Sequence, residues 1–68
     1  MEANLVHIFS SGQPYKAELA RQMLADHNIH SFLVNKQDSA YKFGVVELYV
    51  QRDDVIRAKK LIQEFDYN

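Results

Sequence analysis

The stretch Val45-Val46-Glu47-Leu48-Tyr49-Val50 decides the fold, because it is the most strand-like run in the chain and reads as its central strand. β-branched and aromatic residues fill it. Val46, Leu48 and Val50 alternate with Val45, Glu47 and Tyr49, which gives the run two distinct faces. Everything else is placed by reference to those faces.

On its N-terminal side, Lys36 to Gly44 is a connection longer than a tight hairpin needs, carrying Tyr41 and Phe43. Before it, His30-Ser31-Phe32-Leu33-Val34-Asn35 reads as another strand, with Phe32 and Val34 expected to face the helices. Leu5-Val6-His7-Ile8-Phe9 is a short apolar run ended by Ser10-Ser11-Gly12, the pattern of a strand running into a turn. Strict alternation there sends Val6 and Ile8 one way, and Leu5, His7 and Phe9 the other.

Two helices complete the order. Pro14 suits a first helical turn, where its missing N–H would have been unpaired anyway. Ala17, Leu19, Ala20, Met23 and Leu24 then gather on one arc. The helix is expected to end at His27-Asn28-Ile29, with Asn28 in the left-handed conformation and Ile29 touching Leu24. A second helix starts at Arg52 or Asp53, where Asp53 and Asp54 favour the positive helix end. Val55, Ala58, Leu61, Ile62 and Phe65 form its apolar stripe, and Ile56 falls off it, to the surface or to an interface.

The order strand, helix, strand, strand, helix predicts an α+β domain: a ferredoxin-like split β-α-β that lacks the last strand. Its three-stranded antiparallel sheet has the order 1-3-2, with both helices on one face. Leu5, Phe9, Val45 and Tyr49 are then expected on the other face, which is not a comfortable surface for a monomer. The first strand also keeps an unpaired edge, which a second copy of the chain could cover.

Composition narrows the function classes. Sixty-eight residues make one small domain, able to bury only roughly 60% of its unfolded surface. Stability on the order of 3–10 kcal/mol follows from that size. No cysteine is present, so disulfides and thiolate zinc sites are out, and association of the chain with itself is the reinforcement left most open. Eight Lys and Arg against nine Asp and Glu leave a charge of −1, too balanced for nucleic acid or an anionic membrane surface. Met1-Glu2-Ala3-Asn4 is acidic and precedes only about five apolar positions, so neither a secretory signal nor a span is read and a cytoplasmic address is expected.

A resemblance runs through the same residues. Ser10-Ser11-Gly12-Gln13-Pro14-Tyr15 ahead of Ala17-Glu18-Leu19, then Asn28-Ile29, Asn35-Lys36, Asp38-Ser39-Ala40-Tyr41, Phe43-Gly44 and Val46-Glu47-Leu48-Tyr49-Val50, resembles the family of putative prokaryotic signal-transducing proteins. It covers roughly Asn4 to Phe65 and implies a ferredoxin-like fold similar in outline to the nitrogen-regulatory signal proteins. What it implies about activity rests on fold analogy, and fold does not fix function. Members often have proline just after the central strand, where this chain has Arg52.

Four groups of residues invite a chemical reading. Asn35-Lys36-Gln37-Asp38 resembles the guanine-reading signature of GTP-binding proteins, but the only glycines are Gly12 and Gly44, so no phosphate-cradling loop exists and a strand end with a turn is preferred. Ser10, Ser11 and Gly12 at a strand-to-helix junction could hold an anion, against a turn whose serines satisfy the helix start. His27 and His30 flank a helix end and do not converge, so neither a metal site nor a cofactor is expected. His7 lies near Glu47 or Tyr49 across the sheet, which could make a base held by a carboxylate but more simply makes a cross-strand contact.

The expected function is a small cytoplasmic binding or regulatory module, not an enzyme. It forms a homodimer through the open sheet face or an edge strand, with room for a small ligand. The expected contact residues are Leu5, His7, Phe9, Tyr41, Phe43, Val45, Glu47 and Tyr49. A protein adaptor anchored by Tyr41, Phe43 and Tyr49 is the alternative, and a minimal enzyme using His7 and Glu47 is a weaker one.

Overall fold

The Val46–Val50 run lies where its alternation requires, in the middle of the sheet. The computed structural model describes residues 4–37 and 44–67. In it the chain runs β1 (Leu5–Ser11), α1 (Pro14–Asp26), β2 (Ser31–Asn35), β3 (Val46–Gln51), a short 3-10 turn (Arg52–Asp54) and α2 (Val55–Tyr67). The strand order is β1-β3-β2, with both pairings antiparallel. Among the described residues no helix is long and apolar enough to cross a membrane.

One side of β3 carries the core. Leu48 and Val50 are wholly buried and Val46 nearly so, packed with Ala17, Ala20 and Leu24 of α1 and Ala58 and Ile62 of α2. Both helices therefore cover the same face. The molecule measures 35 × 34 × 15 Å, thick enough for one sheet and one layer of helices.

Local chemistry sets the ends of the elements. The Ser11 hydroxyl accepts the Gln13 N–H at 3.0 Å and the Gln13 carbonyl accepts the Lys16 N–H at 3.0 Å, so the Ser11-Gln13 turn leads directly into the first turn of α1. At the other end Asn28 has φ +64°. Its N–H reaches the Ala25 carbonyl at 3.0 Å while the Ile29 N–H reaches that of Leu24 at 2.9 Å, the two bonds of a Schellman cap. Ile29 and Leu24 are both buried, which supplies the apolar contact of that motif. The expected cap is thus present in full. Gly44 is also required: its φ is +103°, and a Cβ there would stand 2.7 Å from the Lys36 carbonyl oxygen as the chain enters β3.

Three expectations about facing are corrected. β1 pairs His7 with Tyr49 but Phe9 with Leu48, so Ile8 is an extra residue and the strand contains a bulge. That one-residue slip turns Phe9 from the open face into the core, where it is 8% exposed and its ring meets Phe65 edge-on at 6.0 Å. The bulge buries both large residues, since Ile8 also packs partly against the core.

β2 is reversed as well. Leu33 lies opposite Leu48 and packs on the core, while Phe32 and Val34, opposite Tyr49 and Glu47, stand on the open face at 36% and 39% exposure. The cap fixes this phase: with Ile29 pointing inward, alternation puts Ser31 and Leu33 inward after it. The third correction is Leu19, half exposed, because the stripe of α1 runs through Ala17, Ala20 and Leu24. The stripe of α2 matches expectation, and Ile56 stands at its surface, 84% exposed.

Two measurements test this account. Phe9→Ala is expected to lower the unfolding free energy by about 3–5 kcal/mol in urea denaturation, whereas His7→Ala, two positions away but on the other face, costs under about 1 kcal/mol. Equal small losses would place Phe9 outside the core. Asn28→Ala is expected to cost about 1–2 kcal/mol through left-handed strain, and Asn28→Gly to leave stability unchanged or raise it; a reversed order would remove the cap.

Candidate functional site

The side of the sheet away from the helices is built by alternation along β3. Glu47, Tyr49 and Gln51 point there, with Ser10, His7 and Leu5 opposite them on β1, and Val34 and Phe32 opposite Glu47 and Tyr49 on β2. No described helix packs on this side. Val45, one residue before β3, is half-buried.

Two rows cross the strands. The first is aromatic: the His7 ring meets Tyr49 edge-on at 5.6 Å, Phe32 is the partner of Tyr49 on the far strand, and His30 stacks on Phe32 at 4.8 Å. Such pairs add about 0.5–1.5 kcal/mol each beyond the area they bury. The second row is Ser10, Glu47 and Val34. Its centre is polar and already engaged, because the Tyr49 hydroxyl donates to Glu47 Oε1 at 2.8 Å and the Lys36 ammonium lies 3.4 Å from the same oxygen.

This arrangement moves the acidity of both partners. The Tyr49 bond, helped by Lys36 and opposed by partial burial, holds the Glu47 carboxyl below its usual range. The same bond, with Glu47's negative charge, pushes the Tyr49 phenol up. Glu47 is consequently a weaker base than an ordinary glutamate, and its accepting oxygen is occupied. His7 faces Tyr49 directly and Ser10 faces Glu47, with His7 still near enough to act on the carboxylate electrostatically.

The other candidates are placed as follows. Leu5, His7, Glu47 and Tyr49 share the open face as expected, and Phe9 does not. Tyr41 and Phe43 lie outside the described residues. Ser10 stands opposite Glu47, the Ser11 hydroxyl accepts the Gln13 N–H just ahead of α1, and the Gly12 carbonyl accepts the Gln37 side-chain amide at 2.9 Å. Asn35 turns back on its own chain, its Oδ1 accepting the Gln37 N–H at 2.9 Å, which is the strand-end turn preferred over a guanine site. His27 Nδ1 sits 2.9 Å from the Met23 carbonyl at the end of α1, and Arg57 of α2 donates to the His27 carbonyl at 2.8 Å. Phe32, Val34, His30 and Lys36 join the face without having been foreseen. The signal that would have found them is the inward-pointing Ile29, which fixes the phase of β2.

Titration of the open face follows with a definite sign. Tyr49 is expected to ionise above the ordinary tyrosine value of about 10, and Glu47→Gln to bring it back towards that value, as read from tyrosine ring carbon shifts. Glu47, with a lowered folded pKa, contributes stability that is present above its unfolded value and lost as pH falls through the folded one. Tyr49, with a raised folded pKa, contributes stability that is present below its unfolded value and lost as pH rises through the folded one. A Tyr49 titration indifferent to Glu47→Gln would break the pair.

No curated protein and no solved structure matches the chain. A family model matches residues 5–66, described as a putative prokaryotic signal transducing protein, and that span takes in all three strands and nearly all of both helices. With strand order, caps and open face in place, the chain belongs to that family of putative prokaryotic signal transducing proteins.

Proposed function

We propose that the protein is a small cytoplasmic regulatory module that works by binding rather than by catalysis, and that it binds first to a second copy of itself. The observation that carries this reading is the open face: Phe32 and Val34 stand more than a third exposed beside Leu5, His7 and Tyr49, on a side that no described helix covers. Apolar surface gathered in this way is characteristic of an interaction site. A charged pair in its middle makes the face self-complementary, since each copy brings both Lys36 and Glu47.

Two features favour binding over chemistry. Glu47 is made less basic by its neighbours, and His7 is directed at an aromatic ring instead of at the carboxylate. The near-neutral charge, with a carboxylate at the centre of the face, weighs against a polyanionic partner. A cysteine-free composition fits a reducing cytoplasm.

Sedimentation equilibrium tests this directly. The expected result is a species of about twice the 7.9 kDa chain mass at high micromolar concentration. Phe32→Lys and Val34→Lys are expected to weaken association by about tenfold or more, roughly 1.4 kcal/mol, with circular dichroism unchanged. A strict monomer at that concentration would remove the reading.

A further inference from the structure

Resting on the self-association proposed above, we propose that two copies join edge to edge through β2, antiparallel about a two-fold axis at Leu33, so that two three-stranded sheets become one. The sheet has two outer strands, β1 and β2, and they differ as edges. β1 is kinked by the bulge at Ile8, a feature that spoils a ladder and blunts an edge. β2 keeps an unbroken register with β3 from Ser31 to Asn35. The straight edge is therefore β2.

The direction of its main chain is fixed by one bond. The Lys36 N–H donates to the Val45 carbonyl at 2.9 Å, towards β3. In an antiparallel ladder that direction recurs at every second residue, so Phe32 and Val34 also turn their main chain inward, and Ser31, Leu33 and Asn35 turn theirs out. No main-chain bond from another described residue reaches these three from outside the sheet, so they form the template.

The sequence of this edge is its own complement. Ser31-Phe32-Leu33-Val34-Asn35 is polar at both ends and apolar between. An axis at Leu33 sets Leu33 against its own copy, Phe32 against Val34, and Ser31 against Asn35. An aromatic residue then meets a β-branched one on the open face, a favourable cross-strand pair. About six main-chain hydrogen bonds would form across the junction.

Ser31 supplies the independent observation. The residue is 8% exposed and its hydroxyl has no hydrogen-bond partner among the described residues. Leaving such a group unpaired is destabilising, so a partner that reaches it is favoured. In the proposed register Asn35 of the second copy lies directly opposite on the same side of the sheet, with side chains starting about 4.5–5.5 Å apart. Asn35 already accepts the Gln37 N–H through Oδ1, which leaves its amide N–H groups to donate. Rotation of Ser31 about χ1 towards the edge gives its hydroxyl that partner.

The chain has no cysteine, so introduced thiols report cleanly. In this register positions 32 and 34 of opposite copies form a non-hydrogen-bonded pair with Cα atoms about 4.5 Å apart, inside the roughly 4.4–6.8 Å that a disulfide spans. Phe32→Cys and Val34→Cys, made separately, mixed and oxidised, are expected to give a 32-to-34 linked dimer at least fivefold above either variant alone. On the unaltered chain, the Leu33 and Asn35 amides are expected to exchange at least tenfold more slowly when the protein is concentrated than when it is dilute. A dimer by mass whose mixture links no better than the single variants, or whose Leu33 and Asn35 amides exchange at the same rate at both concentrations, overturns the β2 junction and leaves self-association standing. A wild-type monomer by mass overturns both.

Discussion

The constraint on which the fold depends is the burial of one side of β3. Val46, Leu48 and Val50 are paired to strands on both flanks and pressed beneath both helices, so no register slip in β3 is tolerable. Leu48 and Val50 are among the largest fully buried side chains. Each such burial contributes about 1.5–3 kcal/mol, a large part of the stability a domain of this size can have. The open face is the other side of the same alternation: fixing Leu48 inward fixes Glu47 and Tyr49 outward. Site and core are therefore two readings of one strand.

That coupling explains which features were legible in the sequence. The central strand, the stripe of α2 and the Asn28-Ile29 cap each announce themselves locally, through alternation, helical spacing or a residue that tolerates φ +64°. The bulge does not, because nothing between Leu5 and Phe9 is a glycine or proline and the gain lies in tertiary packing: Phe9 finds Phe65, more than fifty residues away. β2 was legible in principle. Three consecutive apolar residues hide its phase when read alone, yet Ile29 carries that phase across from the helix cap. Leu19 misleads for a different reason, since two small alanines take the contact that a leucine seems made for.

The candidate site was legible in its centre and not at its margins. Glu47 and Tyr49 follow from β3 alone, and their hydrogen bond is an i, i+2 contact along one face. Simple alternation puts His7 on the correct face because it precedes the bulge, and Phe9 on the wrong one because it follows it. The consequence for chemistry is substantial. A regular β1 would have left Phe9 on the open face; the bulged one buries Phe9 and leaves an aromatic row beside a carboxylate engaged by Tyr49 and Lys36. A row of rings beside an engaged acid is suited to holding a partner, not to moving protons.

The two ways of covering this sheet are not alternatives in the physical sense. Edge pairing at β2 satisfies main-chain groups and sets the geometry, but a five-residue junction buries little apolar area by itself. Its effect on the open face would be to place Phe32 and Val34 of each copy against those of the other, which would partly shield the two most exposed large apolar side chains described on that face. Leu5 stands on the far strand, across β3, and stays uncovered by such a junction. A joined sheet then presents one longer open face with the aromatic rows of both copies on it, and a ligand or protein that spans both rows would feel the junction. Its affinity would be linked to dimerisation, because any species that binds only the joined form stabilises that form by mass action. If two copies pair as proposed, a domain of this size would acquire a binding surface whose existence depends on its association state, which would be sufficient for a regulatory switch.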